Sequence, residues 1–158
     1  MKREQPFRLY LDTSVFGGCF DDEFAEDSLR VFDGFVTGRA VLVYSETVDA
    51  ELRDAPVAVR TLLLSLSAEQ KRLVPITWQA EQLADAYIKA GIVGEQWRGD
   101  CLHVAAATIS HADAIVSWNF KHIVNLGKMK AYNEVNIREG YSMLTVLSPK
   151  EVNFDDTE

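Results

Sequence analysis

The sequence predicts an α/β protein of three layers, in which helices cover both faces of a central, mainly parallel β-sheet. Short apolar runs typical of strands alternate along the chain with longer segments of helical periodicity. The run AVLVY at 40–44 is continuously apolar, as expected of a central parallel strand that is covered on both faces. No repeat, low-complexity stretch or linker divides the 158 residues, so we expect one domain spanning 1–158.

The first predicted strand ends in a carboxylate. Residues 8–11 form a short apolar strand pattern, and Asp12 follows them at the start of a turn-forming segment. The glycine pair at 17–18 is expected to loosen the backbone. Apolar residues at helical spacing then predict a helix over 24–36, and Asp12 is therefore expected at the edge of the sheet.

Two further acidic residues fall on predicted helices. Ser45 follows the second strand and is expected to cap a helix that carries Glu51 and is interrupted at 54–56. The run at 73–76 is a short strand pattern, and a later helix begins near position 99 with Asp100 in its first turn.

The last predicted strands lie in the final third of the chain. Residues 113–118 read as a strand that ends at Asn119, and the apolar run 141–146 could add one more strand. Residues 153–158 are expected to form a loose acidic tail.

The chemistry-bearing residues could meet at one edge of this sheet. Ligands in open α/β sheets bind beyond the carboxyl ends of the strands, where Asp12 and Asn119 are expected. The helices that carry Glu51 and Asp100 begin on the same side. The spacing permits these four side chains to share a crevice but does not prove that they do.

Four segments together resemble the PIN domain, in particular the toxin ribonucleases of bacterial toxin–antitoxin operons. They are LYLDTS at 9–14, the segment 45–52, DCLHVAAA at 100–107 and DAIVSWNF at 113–120. Each segment alone is a weak indication of the family, but the order and spacing of the four together are fairly specific for it. The resemblance covers nearly the whole chain. It implies a PIN-like three-layer fold and an endoribonuclease that depends on Mg²⁺ or Mn²⁺.

The resemblance also implies the residues of the site. Asp12, Glu51 and Asp100 would be the catalytic and metal-binding carboxylates, and hard divalent cations prefer such oxygen ligands. The family's fourth acidic position is occupied here by Asn119, which can offer the metal an amide oxygen but no charge, so the affinity for a second cation should fall. Two serines, Ser14 and Ser117, would support the site.

The resemblance further implies an RNA substrate, a homodimer and a small antitoxin protein as partner. A formal net charge of −8 makes the surface as a whole repel nucleic acid. RNA binding therefore requires a cation at the acidic site and a few local Lys and Arg side chains to reverse the potential there.

The composition bears on the location of the protein. The two cysteines, Cys19 and Cys101, follow neither a disulfide nor a zinc pattern, which fits a reducing cytoplasm. The first residues, MKREQPF, lack the apolar stretch of a secretory signal, and no apolar run is long enough for a membrane helix.

Other interpretations of the same residues remain open. Without the family pattern, Asp12 is more readily interpreted as a cap of the following turn, and Glu51 and Asp100 as solvated charges on helices. A non-catalytic PIN-like module that binds RNA or a protein is the main alternative, because of Asn119 and the net charge. A haloacid-dehalogenase-type phosphatase is disfavoured, since Ser14 stands where that chemistry needs a second Asp.

The histidines and aromatic residues near these segments are less informative. His103 is expected to be a packing residue, and His111 and His122 are isolated histidines, so none is assigned to the site. The segments 97–98 and 120–122 flank the predicted crevice. Their aromatic rings could stack on bases or pack against protein, and the sequence leaves both open.

Overall fold

The computed structural model describes residues 5–154 and confirms the three-layer α/β/α fold. The sheet contains five strands in the order β3-β2-β1-β4-β5, and every neighbouring pair is parallel. The strands are β1 (Phe7–Leu11), β2 (Ala40–Ser45), β3 (Lys71–Val74), β4 (Ala114–Val116) and β5 (Val146–Leu147). Parallel pairing throughout follows from the helices that connect successive strands.

Seven α-helices lie within residues 5–154. They are α1 (Thr13–Gly18), α2 (Ala25–Val36), α3 (Glu46–Arg53), α4 (Val57–Ser65), α5 (Trp78–Lys89), α6 (Arg98–Ile109) and α7 (Leu126–Arg138). Short 3₁₀ turns cover Glu95–Trp97 and Pro149–Glu151. None of the described helices is long and apolar enough to cross a membrane.

The core lies around the three middle strands. Tyr10, Leu11, Leu42, Val43 and Ile115 are completely buried because helices cover both faces of the sheet there. The strand β3 at one edge is mostly exposed or half-buried. The middle strands β2, β1 and β4 therefore provide the rigid frame at whose carboxyl edge Asp12 is placed.

The glycine pair at 17–18 does not loosen the chain as expected. It lies inside α1, and a Cβ added to Gly18 would stand 2.6 Å from Ser28 Oγ and 2.7 Å from Trp118 Nε1. Glycine at this position permits the close approach of α1 to α2 and to the chain that follows β4. The expectation was wrong because this contact cannot be read from local composition.

The last third of the chain differs most from expectation. The run 141–146 is mainly irregular, with only Val146–Leu147 paired in the sheet. Helix α7 was not predicted, because its sequence has little amphipathic character. Its capping residue, Asn125, is recognised only in the fold, where its side chain accepts a hydrogen bond from the Lys128 backbone N–H.

The strand predicted at 73–76 lies two residues earlier in the chain, at Lys71–Val74.

The described part of the expected tail is packed rather than loose. Phe154 is half-buried, and its ring lies so close to Gly34 that a Cβ on that glycine would clash with it. Residues 155–158 of the expected tail lie outside the described residues, as do residues 1–4 of the segment assessed as a possible secretory signal.

Candidate active site

The sheet order brings two of the site segments side by side. Strand β1 pairs with β4, so Asp12 after β1 lies next to Ser117 after β4. Asp12 is the N-cap residue of α1, yet its side chain makes no capping hydrogen bond. The carboxylate is instead directed toward two serines, so helix capping does not explain this residue.

Asp12 is a buried carboxylate held by two hydroxyls. The Ser14 hydroxyl donates to Oδ1 at 2.6 Å and the Ser117 hydroxyl donates to Oδ2 at 2.7 Å, while only 4% of Asp12 is exposed. Burial raises the pKa of Asp12, the positive charge of His103 and the two serine hydrogen bonds oppose that rise, and the Asp100 carboxylate adds to it. Asp12 and Asp100 therefore lie within electrostatic reach of each other.

The two serines are themselves fixed by backbone groups. The Trp118 N–H donates to Ser14 Oγ at 2.9 Å, and the Asn119 N–H donates to Ser117 Oγ at 2.9 Å. Each hydroxyl thus accepts from the chain after β4 and donates to Asp12. This arrangement fixes the orientation of the Asp12 carboxylate and explains the placement of Ser14 two residues after it.

Glu51 extends from α3 toward the same edge of the sheet. Its Oε1 accepts from Thr13 Oγ1 at 2.9 Å and lies 2.6 Å from His103 Nε2. Partial burial would raise the pKa of Glu51, but the hydrogen bond and charge of His103 and the bond from Thr13 lower it below its ordinary value. Glu51 is therefore held as a carboxylate by these two residues.

A buried hydrogen-bonded chain continues from Glu51 into the sheet. His103 is 2% exposed, and its Nδ1 lies 2.8 Å from the hydroxyl of Tyr10, which lies 2.7 Å from Ser45 Oγ. Burial alone would lower the pKa of His103, but the bond to Glu51 and the charges of Asp12, Glu51 and Asp100 raise it. Glu51 on α3 is thereby connected to β1, β2 and α6.

Asp100 has a histidine partner of its own. Its Oδ2 lies 2.8 Å from His122 Nδ1, and the His122 ring packs against the indole of Trp97 with centroids 4.6 Å apart. Asn119 is directed into the same turn, where its Oδ1 accepts from the His122 backbone N–H at 2.9 Å. The amide oxygen of Asn119 therefore closes a local turn beside Asp100.

Solved structures with the same architecture identify the fold. A chain of the VapBC2 complex from Rickettsia felis superposes with a TM-score of 0.57 at 13% identity, over 90% of this chain and 98% of that chain. FitAcB from Neisseria gonorrhoeae gives 0.54 at 17% identity over 91% and 99%. Mycobacterium tuberculosis VapC20, described as a sarcin–ricin loop cleaving toxin, gives 0.52 at 18% identity over 68% and 86%.

The chain has the PIN-domain fold. No protein-family model matches the sequence, and no curated protein sequence matches it. For this PIN-like chain it is therefore the comparison of three-dimensional structures, and not of sequences, that shows the fold.

The candidate metal ligands of this PIN-like chain are of the chemical type that binds a hard cation. Asp12, Glu51 and Asp100 offer only carboxylate oxygens, which Mg²⁺ and Mn²⁺ prefer. Within residues 5–154, however, no three Asp, Glu, His or Cys side chains are grouped as metal ligands. Glu51 and Asp100 each face a histidine, so a cation would bind through their second oxygens or in exchange for those histidines.

Two histidines of the site were missed by sequence reasoning. His103 is buried as expected, but it also bonds Glu51, and His122, read as an isolated histidine, bonds Asp100. His103 follows Asp100 by three residues on one helix, which places both on one face. That spacing was the available signal for His103, whereas His122 meets Asp100 only through the turn after β4.

Proposed function

We propose that this chain is an endoribonuclease that depends on Mg²⁺ or Mn²⁺ and acts as the toxin of a type II toxin–antitoxin pair. One observation carries the proposal. Asp12 is a buried carboxylate oriented by two serine hydroxyls, and Asp100 is close enough to raise its pKa. A protein has little structural reason to bury a carboxylate beside another carboxylate unless a cation or a reaction uses the pair.

The residues of the site would share the work of hydrolysis. Asp12, Glu51 and Asp100 would hold the cation, with Asn119 offering at most a neutral oxygen. A bound Mg²⁺ or Mn²⁺ activates water and screens the charge of a phosphodiester. Ser14 and Ser117 keep the Asp12 carboxylate in one orientation, and His103 does the same for Glu51.

Three partners belong to the same proposal. VapC20 is described as a toxin that cleaves the sarcin–ricin loop, and the VapBC2 and FitAB structures contain DNA fragments. By this likeness we expect an RNA substrate, an antitoxin protein and assembly of this chain as a homodimer in the cytoplasm. The buried, free thiols of Cys19 and Cys101 agree with a reducing compartment.

A second function is favoured by a different observation. Glu51 and Asp100 are each bonded to a histidine, and the oxygen of Asn119 accepts a backbone N–H. A PIN-like module that has lost cleavage and binds RNA or a partner protein would have no need to free these oxygens. This alternative predicts no metal-dependent cleavage.

The two functions are separated by a cleavage assay on mixed cellular RNA. Purified protein should cut RNA with Mn²⁺ or Mg²⁺, stop when EDTA is added, and lose cleavage by orders of magnitude in Asp12→Asn. The matched control is Asp33→Asn, an exposed position on α2, whose last turn leads to the opposite edge of the sheet. Cleavage that survives EDTA, or that Asp33→Asn removes equally, would contradict the nuclease assignment.

A further inference from the structure

Three residues form an exposed rim beside the proposed carboxylates. Trp97 is 42% exposed and Phe120 is 48% exposed, and Lys121 places its ammonium group 5.7 Å from the centroid of the Trp97 ring. We call Trp97, Phe120 and Lys121 the aromatic rim. Large aromatic side chains left open to solvent beside a cation are typical of surfaces that stack nucleobases.

Trp97 is linked to Asp100 through the side chain of His122. Its ring packs against His122 at 4.6 Å, and His122 bonds the Asp100 carboxylate at 2.8 Å. Trp97 also immediately precedes α6, whose first turn carries Asp100. A ligand held near Asp100 is therefore within reach of the exposed part of the indole.

Phe120 connects the rim to Asp12 in a similar way. Its ring lies 6.1 Å from that of Trp118 in an edge-to-face arrangement. The backbone N–H of Trp118 donates to Ser14, which donates to Asp12. The aromatic rim is thus linked to Asp100 through His122 and to Asp12 through Trp118 and Ser14.

The charge on the rim suits an anionic ligand. Arg98 is paired with Asp85, whereas Lys121 has no carboxylate within ion-pair distance in the part of the chain that the structure describes. A phosphate could therefore engage Lys121 without displacing an ion pair. The net charge of −8 would repel a polyanion elsewhere on the surface, so attraction has to be local.

We propose that the aromatic rim binds an unpaired nucleotide of RNA, with its base stacked on Trp97 and its phosphate bound by Lys121. This inference rests on the proposed function, because it names the side chains of this chain that would hold the RNA at the same site. The faces of bases in a duplex are covered by their neighbours, so only an unpaired nucleotide can offer one to Trp97. Trp97 and Lys121 are therefore the residues of this chain that would hold an unpaired nucleotide beside the carboxylates.

The test measures binding in the Asp12→Asn background, where cleavage does not consume the probe. The probes are a fluorescein-labelled single-stranded oligouridylate and an RNA duplex of equal length, titrated by anisotropy. Adding Trp97→Ala should weaken binding of the single strand about 5- to 150-fold, which corresponds to losing one stacked base. Trp97→Phe should restore most of the affinity, since it keeps a ring on which a base can stack.

Two further variants test specificity. The control is Trp78→Ala, which removes a tryptophan that is 67% exposed at the start of α5 and outside the rim; it should leave affinity unchanged. Lys121→Ala should reduce the slope of log affinity against log salt by about 0.7, as expected when one single-strand phosphate contact is lost. Circular dichroism of each variant checks that the fold is kept.

Several results would overturn the inference. Equal affinity of the parent and Trp97→Ala would do so, as would equal affinity for the duplex, or equal weakening by Trp97→Ala and Trp97→Phe. Wild-type protein that cuts no RNA but binds single strands through Trp97 would refute the nuclease and support the rim.

Discussion

Replacing Tyr10 by Phe tests the buried network that holds Glu51. The Tyr10 hydroxyl lies 2.7 Å from Ser45 Oγ and 2.8 Å from His103 Nδ1, and the residue is completely buried. Phe keeps the ring and its packing, so the change removes hydrogen bonds and little else. We expect the folded protein to lose stability and Glu51 to lose part of the support of His103.

The magnitude follows from the fate of each partner. Ser45 Oγ still accepts from the Thr47 N–H, whereas Nδ1 of the buried His103 ring is left without a partner. One lost hydrogen bond costs about 1 kcal/mol and one buried group left unpaired costs about 1–3 kcal/mol, so the free energy of unfolding should fall by about 2–4 kcal/mol. For a chain of this length the Tm should fall by about 5–15 °C.

The assay is urea unfolding followed by tryptophan fluorescence, with thermal unfolding by circular dichroism beside it. The control is Tyr44→Phe on β2, whose ring is 9% exposed and whose hydroxyl makes no hydrogen bond within residues 5–154. Tyr44→Phe should change stability by no more than about 0.5 kcal/mol. If Tyr10→Phe costs no more than this control, the network does not stabilise the fold and the reasoning is refuted.

Three other substitutions test the site. Asp12→Asn should stabilise the metal-free protein at neutral pH, because burial raises the pKa of Asp12 and disfavours its ionised form in the folded state. The gain in the free energy of unfolding, measured with urea, should vanish as pH falls to about 4. His103→Gln should flatten the decline of stability as pH rises above about 6.5, because the raised pKa of His103 means that its contribution is full below its ordinary value of 6.5 and is lost as pH rises through the folded value. Asn119→Asp should tighten binding of Mn²⁺ in a calorimetric titration, because a carboxylate adds attraction to the cation.

Each of these expectations has a contrary outcome. A gain in Asp12→Asn that is equal at both pH values would mean that the charge is not disfavoured by burial. If wild type and His103→Gln decline in parallel above about pH 6, the protonated ring is not what Glu51 and the aspartates stabilise. Identical Mn²⁺ titrations of wild type and Asn119→Asp, with both proteins folded, would place position 119 outside the coordination sphere.

The sequence alone predicted the layered fold and the elements that carry the acidic residues. Strand and helix patterns depend on residues a few positions apart, so the strand before Asp12, the cap at Ser45 and the helix that carries Asp100 could all be recognised. The same local rules missed α7, whose apolar residues do not form one stripe. They also placed a strand over 141–146, where the chain is mostly irregular.

The tertiary structure alone decided what each carboxylate touches. His103 bonds Glu51 across 52 positions of sequence, and His122 bonds Asp100 across 22. Such contacts depend on the pairing of β1 with β4 and on how α3 and α6 pack together, which no local pattern encodes. The pattern could therefore place carboxylates at one edge of the sheet, but only the packing of distant segments set a histidine against two of them.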